Sequence, residues 1–235
     1  MRWIAGIFVI ASCGRFDFDV VSDAGVRLDA GVPDAGTGML LHFAFESDGL
    51  LHDRAAGHDA TCTECPIQAA GRVGVGAASF DGTQCLHVAD APDLRPSSFT
   101  FAVWVLLPMI QSSSPFARPY QGATSSVNTF EVFDDLVSRY GIGVGTTSVK
   151  GPLTAGVWHH LAGTYDATSL VTFVDGSAGT PQPVGQVVSY AADDILIGCD
   201  EDTGVLFNKV KGLIDDVRLY DHALTPGEVA ALASM

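Results

Sequence analysis

Phe99-Thr100-Phe101-Ala102-Val103-Trp104-Val105-Leu106-Leu107 is the stretch that decides the fold. Side chains alternate along a strand, so Phe99, Phe101, Val103, Val105 and Leu107 share one face. Ala102, Trp104 and Leu106 make the other face apolar too, the pattern of a central strand covered on both sides. Aromatic and β-branched residues fill it, and neither Gly nor Pro breaks it.

Similar short runs lie on either side, at residues 40–45, 78–88, 129–133, 140–144, 158–165, 170–174, 194–198 and 213–220, separated by Gly, Pro, Asp and Ser. Nine or more strands with no long helix predict an all-β protein, a two-layer antiparallel jelly-roll β-sandwich. One short C-terminal helix is expected. Thr225-Pro226-Gly227-Glu228 supplies an N-cap, a proline at the first helical position and a glutamate for a capping box, ahead of Val229 and Leu232.

Upstream of the strands the chain changes character. Met1-Arg2-Trp3, an apolar run and then Ile10-Ala11-Ser12-Cys13 have the layout of a secretory signal. The apolar run is far short of the ~20 residues of a spanning helix. The last four residues resemble the bacterial lipobox, which makes residues 1–12 a lipoprotein signal peptide and Cys13 the acylated first residue of the mature chain. Residues 13–38 repeat Asp-Ala-Gly three times among small and acidic residues. They cannot bury enough apolar surface to offset the entropy of ordering, so they read as a flexible tether. Residues 39–235 form the folded domain. By analogy with other lipoproteins, Gly14 after the cysteine points to the outer membrane or cell surface, with the lipid as the only membrane contact.

Lys and Arg number 12 against 27 Asp and Glu, a net charge of −15. Without a basic cluster, nucleic acid is excluded as a partner. Cys62, Cys65, Cys85 and Cys199 remain once Cys13 is committed to lipid, an even number that favours two disulfides in an exported chain. Three connectivities are open, with Cys62–Cys65 plus Cys85–Cys199 preferred. The Cys62/Cys65 spacing lacks the second pair of ligands that a zinc ribbon needs.

A set of motifs in fixed order then carries a family resemblance. Leu41-His42-Phe43-Ala44-Phe45 is followed by GRVGVGAASFDG over 71–82, FTFAVW over 99–104 and WHHLAGTYD over 158–166. VDG over 174–176, Ile197-Gly198, GLIDDVRLY over 212–220, Ala223-Leu224-Thr225 and Glu228 complete it. Together they resemble the bacterial LamG-like domain of the concanavalin A-like lectin/glucanase group. The resemblance implies a jelly roll of two antiparallel sheets that binds a glycan or an extracellular protein, often beside a calcium ion.

Catalysis finds little support. Glycosidases of this fold place paired acids on one strand face, whereas Glu131 and Asp134 in Glu131-Val132-Phe133-Asp134-Asp135 fall on opposite faces. No nucleophile elbow occurs, and adjacent His159 and His160 point to opposite sides of a strand. The expectation is a non-enzymatic recognition module; the alternatives are a structural or adhesive envelope component and, third, an atypical glycoside hydrolase. Asp215, placed by alternation on the face of Leu213, Val217 and Leu219, is a candidate calcium ligand together with Asp48 and Asp53 of the N-terminal loop. Phe116, Arg118 and Tyr120, in an expected long loop over 108–127, are candidate ligand contacts: an aromatic platform and a cation suited to a sugar.

Overall fold

The computed structural model describes residues 38–122, 125–135, 139–185 and 188–235. The expected signal peptide, Cys13 and the tether as far as residue 37 lie outside them. Strands are numbered in chain order. One sheet runs β12 (Ser177–Ala178), β11 (Ser169–Val174), β10 (Trp158–Tyr165), β5 (Phe99–Leu106), β17 (Lys211–Tyr220), β3 (Gly76–Asp81), β2 (Ile67–Ala70). In it β1 (Met39–Phe43) also pairs with β17, and β13 (Gln182–Pro183) with β11. The second sheet runs β4 (Leu86–Val88), β14 (Ile195–Ile197), β6 (Ser113–Gly122), β7 (Ser125–Asp135), β8 (Arg139–Val144), β9 (Thr147–Pro152). A separate hairpin joins β15 (Asp200–Asp202) to β16 (Val205–Phe207). All strand pairings are antiparallel. The result is the expected two-layer sandwich.

β5 is central, paired to β10 on one edge and β17 on the other, and almost wholly buried. Its Phe99 and Phe101 reach the opposite sheet, where Phe130 of β7 stacks on Phe101 at 4.9 Å and meets Phe116 of β6 at 5.1 Å. This aromatic cluster joins the layers, with Leu41, Ile197 and Val217 packed around it. Cys62 pairs with Cys65 and Cys85 with Cys199. The second of these, buried, ties the end of β14 to the start of β4.

Helix α1 (Pro226–Ala233) begins where the sequence puts it. Thr225 Oγ1 accepts from the Glu228 N–H, and the Glu228 carboxylate accepts from the Thr225 N–H at 2.7 Å, a cap contributing about 1 kcal/mol. Val229 and Leu232 lie buried with Ala102, Ala162, Phe173 and Tyr220, so the helix covers the outer face of the nine-stranded sheet.

Two expectations are corrected. The segment expected as a loop over 108–127 is largely β6, a ten-residue strand. Pro115 and Pro119 argue against a strand, yet register irregularities between Ser113 and Phe116 and between Arg118 and Pro119 accommodate them. In β17 the alternation breaks at a bulge between Asp215 and Arg218, where Asp216 adopts φ 49°. Ile214, Val217 and Leu219 therefore face the core, and Asp215 is not on their side.

Candidate functional site

Strand β8 carries Gly141 and Gly143, with Gly145 following, at every second position. Val144 between them is buried in the core, so the glycines present a side-chain-free strip on the outer face of the six-stranded sheet. Neighbouring strands supply the rest in register. Phe133 of β7, Gly141 and Lys150 of β9 form one row; Glu131, Gly143 and Ser148 form the next. The Phe133 ring occupies the space over Gly141, where any Cβ would collide with it. The Lys150 ammonium sits 5.1 Å from that ring's centroid, an attraction of about 0.5–1 kcal/mol at an exposed site.

A cavity of about 440 Å³ opens on this face. Gly143 and Gly145 form its floor, its walls include Asn128, Glu131 and Phe133, and Asp200 and Phe207 of the hairpin form its rim. The turn of that hairpin has Thr203 at φ 51° and Gly204 at φ 81°, the two positive values that a tight two-residue connection requires. Disulfide-bonded Cys199 immediately precedes Asp200 and fixes where the hairpin leaves the sheet.

The electrostatics are acidic. Ser114 Oγ donates to Glu131 Oε1 at 2.6 Å, and Asn128 Nδ2 donates to Asp200 Oδ2 at 3.0 Å. Burial, reinforced by the Asp200 charge, pushes the Glu131 carboxyl up to about 7. Burial also raises Asp200. Asp134, on the same strand as Glu131, is engaged differently: it accepts the N–H groups of Gln111, Ser112 and Ser113 at 2.9–3.1 Å and the Ser113 hydroxyl. That saturated carboxylate anchors the entry to β6.

The ligand contacts expected from sequence lie elsewhere. Phe116 is fully buried in the aromatic core. Arg118 is fully buried too; it donates to the Leu94 carbonyl at 2.8 Å and to the Asp90 carboxylate, and lies 4.9 Å from the Tyr190 ring centroid. Neither offers a surface to a ligand, because the strand that replaced the expected loop turns both inward. Tyr120, half-buried on β6, does not line the cavity.

Asp48, Asp53 and Asp215, the calcium ligands expected from sequence, each engage protein partners. Asp48 forms a two-pronged pair with Arg54 at 2.7 and 2.9 Å. Asp53 accepts from the N–H groups of His42, Ala55, Ala56 and His58 at 2.7–3.0 Å, stapling its own loop. Asp215 Oδ2 accepts from Arg72 and Val73 N–H at 2.7 and 2.9 Å. Among these carboxylate oxygens only Asp215 Oδ1 is buried without a partner. Among the described residues no group of three or more His, Cys, Asp or Glu side chains is placed to hold a metal ion.

Next to Asp215, the bulge brings Asp216 into a buried set with His42, at 2.8 Å, and Arg218, at 3.0 Å. Despite its burial, Asp216 is held well below the usual carboxylate range by the Arg218 charge and the His42 contact. His160 packs on Trp104 with ring centroids 5.3 Å apart, and burial lowers it to about 4, so it is neutral near pH 7. His159 bonds Asp175 at 2.9 Å. Both histidines have packing and hydrogen-bonding roles.

A laminin G-type family model, described as the concanavalin A-like lectin/glucanases superfamily, matches residues 80–230. Comparison with curated proteins finds no match. Among solved structures, domain 4 of AbnA, a GH43 extracellular arabinanase from Geobacillus stearothermophilus determined with arabinotriose, superposes with TM-score 0.61 at 20% identity over 83% of this chain and 98% of that one. The binding domain of Paraclostridial Mosquitocidal Protein 1 gives TM-score 0.67 at 12% identity over 85% and 52%. Trypanosoma rangeli sialidase in complex with sialic acid gives 0.66 at 16% over 86% and 33%. This chain thus spans about half of the mosquitocidal binding domain and a third of the sialidase. At these identities the likeness is one of fold.

Proposed function

Because the chain belongs to the concanavalin A-like lectin/glucanases superfamily, we propose that it is a non-catalytic recognition module that binds a saccharide in the glycine-floored trough of its six-stranded sheet. The observation that carries this reading is the cavity itself. Its floor of Gly143 and Gly145 lets a flat ring approach the sheet, Phe133 supplies an aromatic surface, and Asn128 and Ser148 offer polar groups for hydroxyls. The arabinotriose bound to the superposable AbnA domain supports the ligand class.

Gly143→Val tests the site. A Cβ there would lie 3.4 Å from the Ser148 Cβ, an ordinary contact, so valine fills the trough while remaining a good strand former. Titration calorimetry on oligosaccharides selected from a glycan array is expected to show about tenfold or greater loss of affinity in the variant, with a melting temperature no lower than that of the wild type. Full binding by the variant would remove the trough from consideration.

One observation favours a second reading, hydrolysis: Glu131 and Asp200 share a cavity, and Glu131 is held partly protonated near neutral pH. A glycosidase needs one carboxylate kept ionised beside the acid, and burial raises both here, so binding is preferred. Release of reducing ends by the wild type, lost in Glu131→Gln, would install hydrolysis instead.

For its setting, the lipobox-like Ile10-Ala11-Ser12-Cys13 and the tether support export and anchoring to the cell envelope through lipid at Cys13. Labelling with a fatty-acid analogue, abolished by Cys13→Ser, is the expected outcome.

A further inference from the structure

We infer that the trough selects uncharged saccharides and rejects those carrying carboxylate or sulfate groups, with Glu131 and Asp200 as the residues that set this selectivity. The inference rests on the saccharide reading of the site and names its ligand class.

The charges around the cavity are one-sided. Glu131 and Asp134 come from β7, Asp200 and Glu201 from β15, and among the described residues no Lys, Arg or His side chain lines it. Lys150 of β9 is the nearby cation, with its ammonium over the Phe133 ring, and it is the weakest of the influences on Glu131. Asp134 is saturated by its four donors and faces no ligand need. Glu131 accepts from Ser114 Oγ, and Asp200 from Asn128 Nδ2 and the Glu201 N–H, all neutral donors. Their charges are therefore compensated by hydrogen bonds but by no counter-charge in the cavity wall.

An incoming hydroxyl can donate to either carboxyl group, whereas an incoming carboxylate or sulfate has nothing to pair with and meets like charge in a partly desolvated site. The chain's net charge of −15 repels anions at longer range as well, a contribution that salt screens.

The test compares neutral arabino- and gluco-oligosaccharides with oligogalacturonides and sialyllactose on the full chain, by array and then calorimetry, near pH 8 at fixed salt. The wild type is expected to favour neutral ligands by about tenfold or more, and Glu131→Gln/Asp200→Asn to shrink that ratio by about tenfold. As a second measurement on unaltered protein, lowering the pH to about 5 protonates Glu131 and should also shrink the ratio. Acidic oligosaccharides bound by the wild type as tightly as neutral ones, or a ratio that neither the double variant nor acid changes, would overturn the selectivity and leave the saccharide site standing. Binding of neither class would overturn the saccharide reading and this inference with it.

Discussion

Replacing Glu131 by glutamine separates the charge of this side chain from its shape. The amide oxygen still accepts from Ser114 Oγ, which lies 2.6 Å from Oε1 in the native protein, while ionisation is abolished. Burial and Asp200 hold the carboxyl at about 7 against an ordinary 4.5. A carboxyl raised in this way binds its proton more tightly in the folded state. Its contribution to stability is fully present below the unfolded value, fades as the pH rises from 4.5, and is lost above about 7. At about 1.4 kcal/mol per pH unit, the whole window amounts to about 3 kcal/mol. A domain of this size loses about 2–4 °C of melting temperature per kcal/mol. Between pH 5 and pH 8, which covers most of that window, the wild type should therefore lose about 5–10 °C more than Glu131→Gln does.

Asp215, pushed up to about 7 by burial, carries the same sign, but it lies in the other sheet and is common to both proteins, so it cancels in the difference. Melting curves followed by circular dichroism at several pH values and constant ionic strength measure the effect. Parallel dependence of the two proteins on pH would refute the claim that Glu131 is desolvated beside a second carboxylate.

Four further outcomes follow from the same physics. Asp53→Ala strips the acceptor from four backbone N–H groups, those of His42, Ala55, Ala56 and His58, and should cost about 3 kcal/mol in urea unfolding. A calcium chelator should leave the melting temperature of the wild type unchanged, and a calcium-dependent rise would restore Asp53 as a ligand. Removing the Cys85–Cys199 disulfide, whose residues are 114 apart in sequence, should cost about 5 kcal/mol, against less than about 2 kcal/mol for the three-residue Cys62–Cys65 separation; chemical denaturation of the two double-serine variants compares them. Arg118→Ala leaves Asp90 without its buried partner and should destabilise by about 3 kcal/mol or more. Calorimetry on the folded fraction should show saccharide affinity unaffected, because Arg118 does not line the cavity.

What could be read in advance follows from periodicity. β5 was legible because nothing interrupts its alternation, and α1 because its cap is written in four consecutive residues. β17 misled at one residue: alternation assumes a constant phase, and a left-handed Asp216 shifts it, moving Asp215 to the opposite face. β6 was hidden by two prolines and a run of serines, which local propensity assigns to a loop and which tertiary pairing overrides. That single misreading placed the ligand contacts at Phe116 and Arg118, both of which fill the interior. The actual trough had a signal in Gly141-Ile142-Gly143-Val144-Gly145. Glycine at every second position reads as turn chemistry by composition, which holds for Gly145 at φ 57°, but by period Gly141 and Gly143 lie on one face of a strand. Asp200 had no such signal, since its approach to Glu131 depends on a hairpin and a disulfide that join distant parts of the chain.

The two outer faces of the sandwich differ in what covers them. On the nine-stranded sheet part of the outer face is covered by α1, and His42, Asp216 and Arg218 form a buried set. On the six-stranded sheet the cavity opens over Gly143 of β8 and Gly145 just beyond it. A glycine within a strand costs roughly 0.5–1 kcal/mol relative to alanine, and Gly143 has room for a Cβ without a clash. Packing does not require the bare position there, so its stability cost is offset by nothing in the folded chain alone. A bare position kept at the expense of stability, beside an aromatic ring and carboxyls with no cation lining their cavity, is what the proposed saccharide site would require.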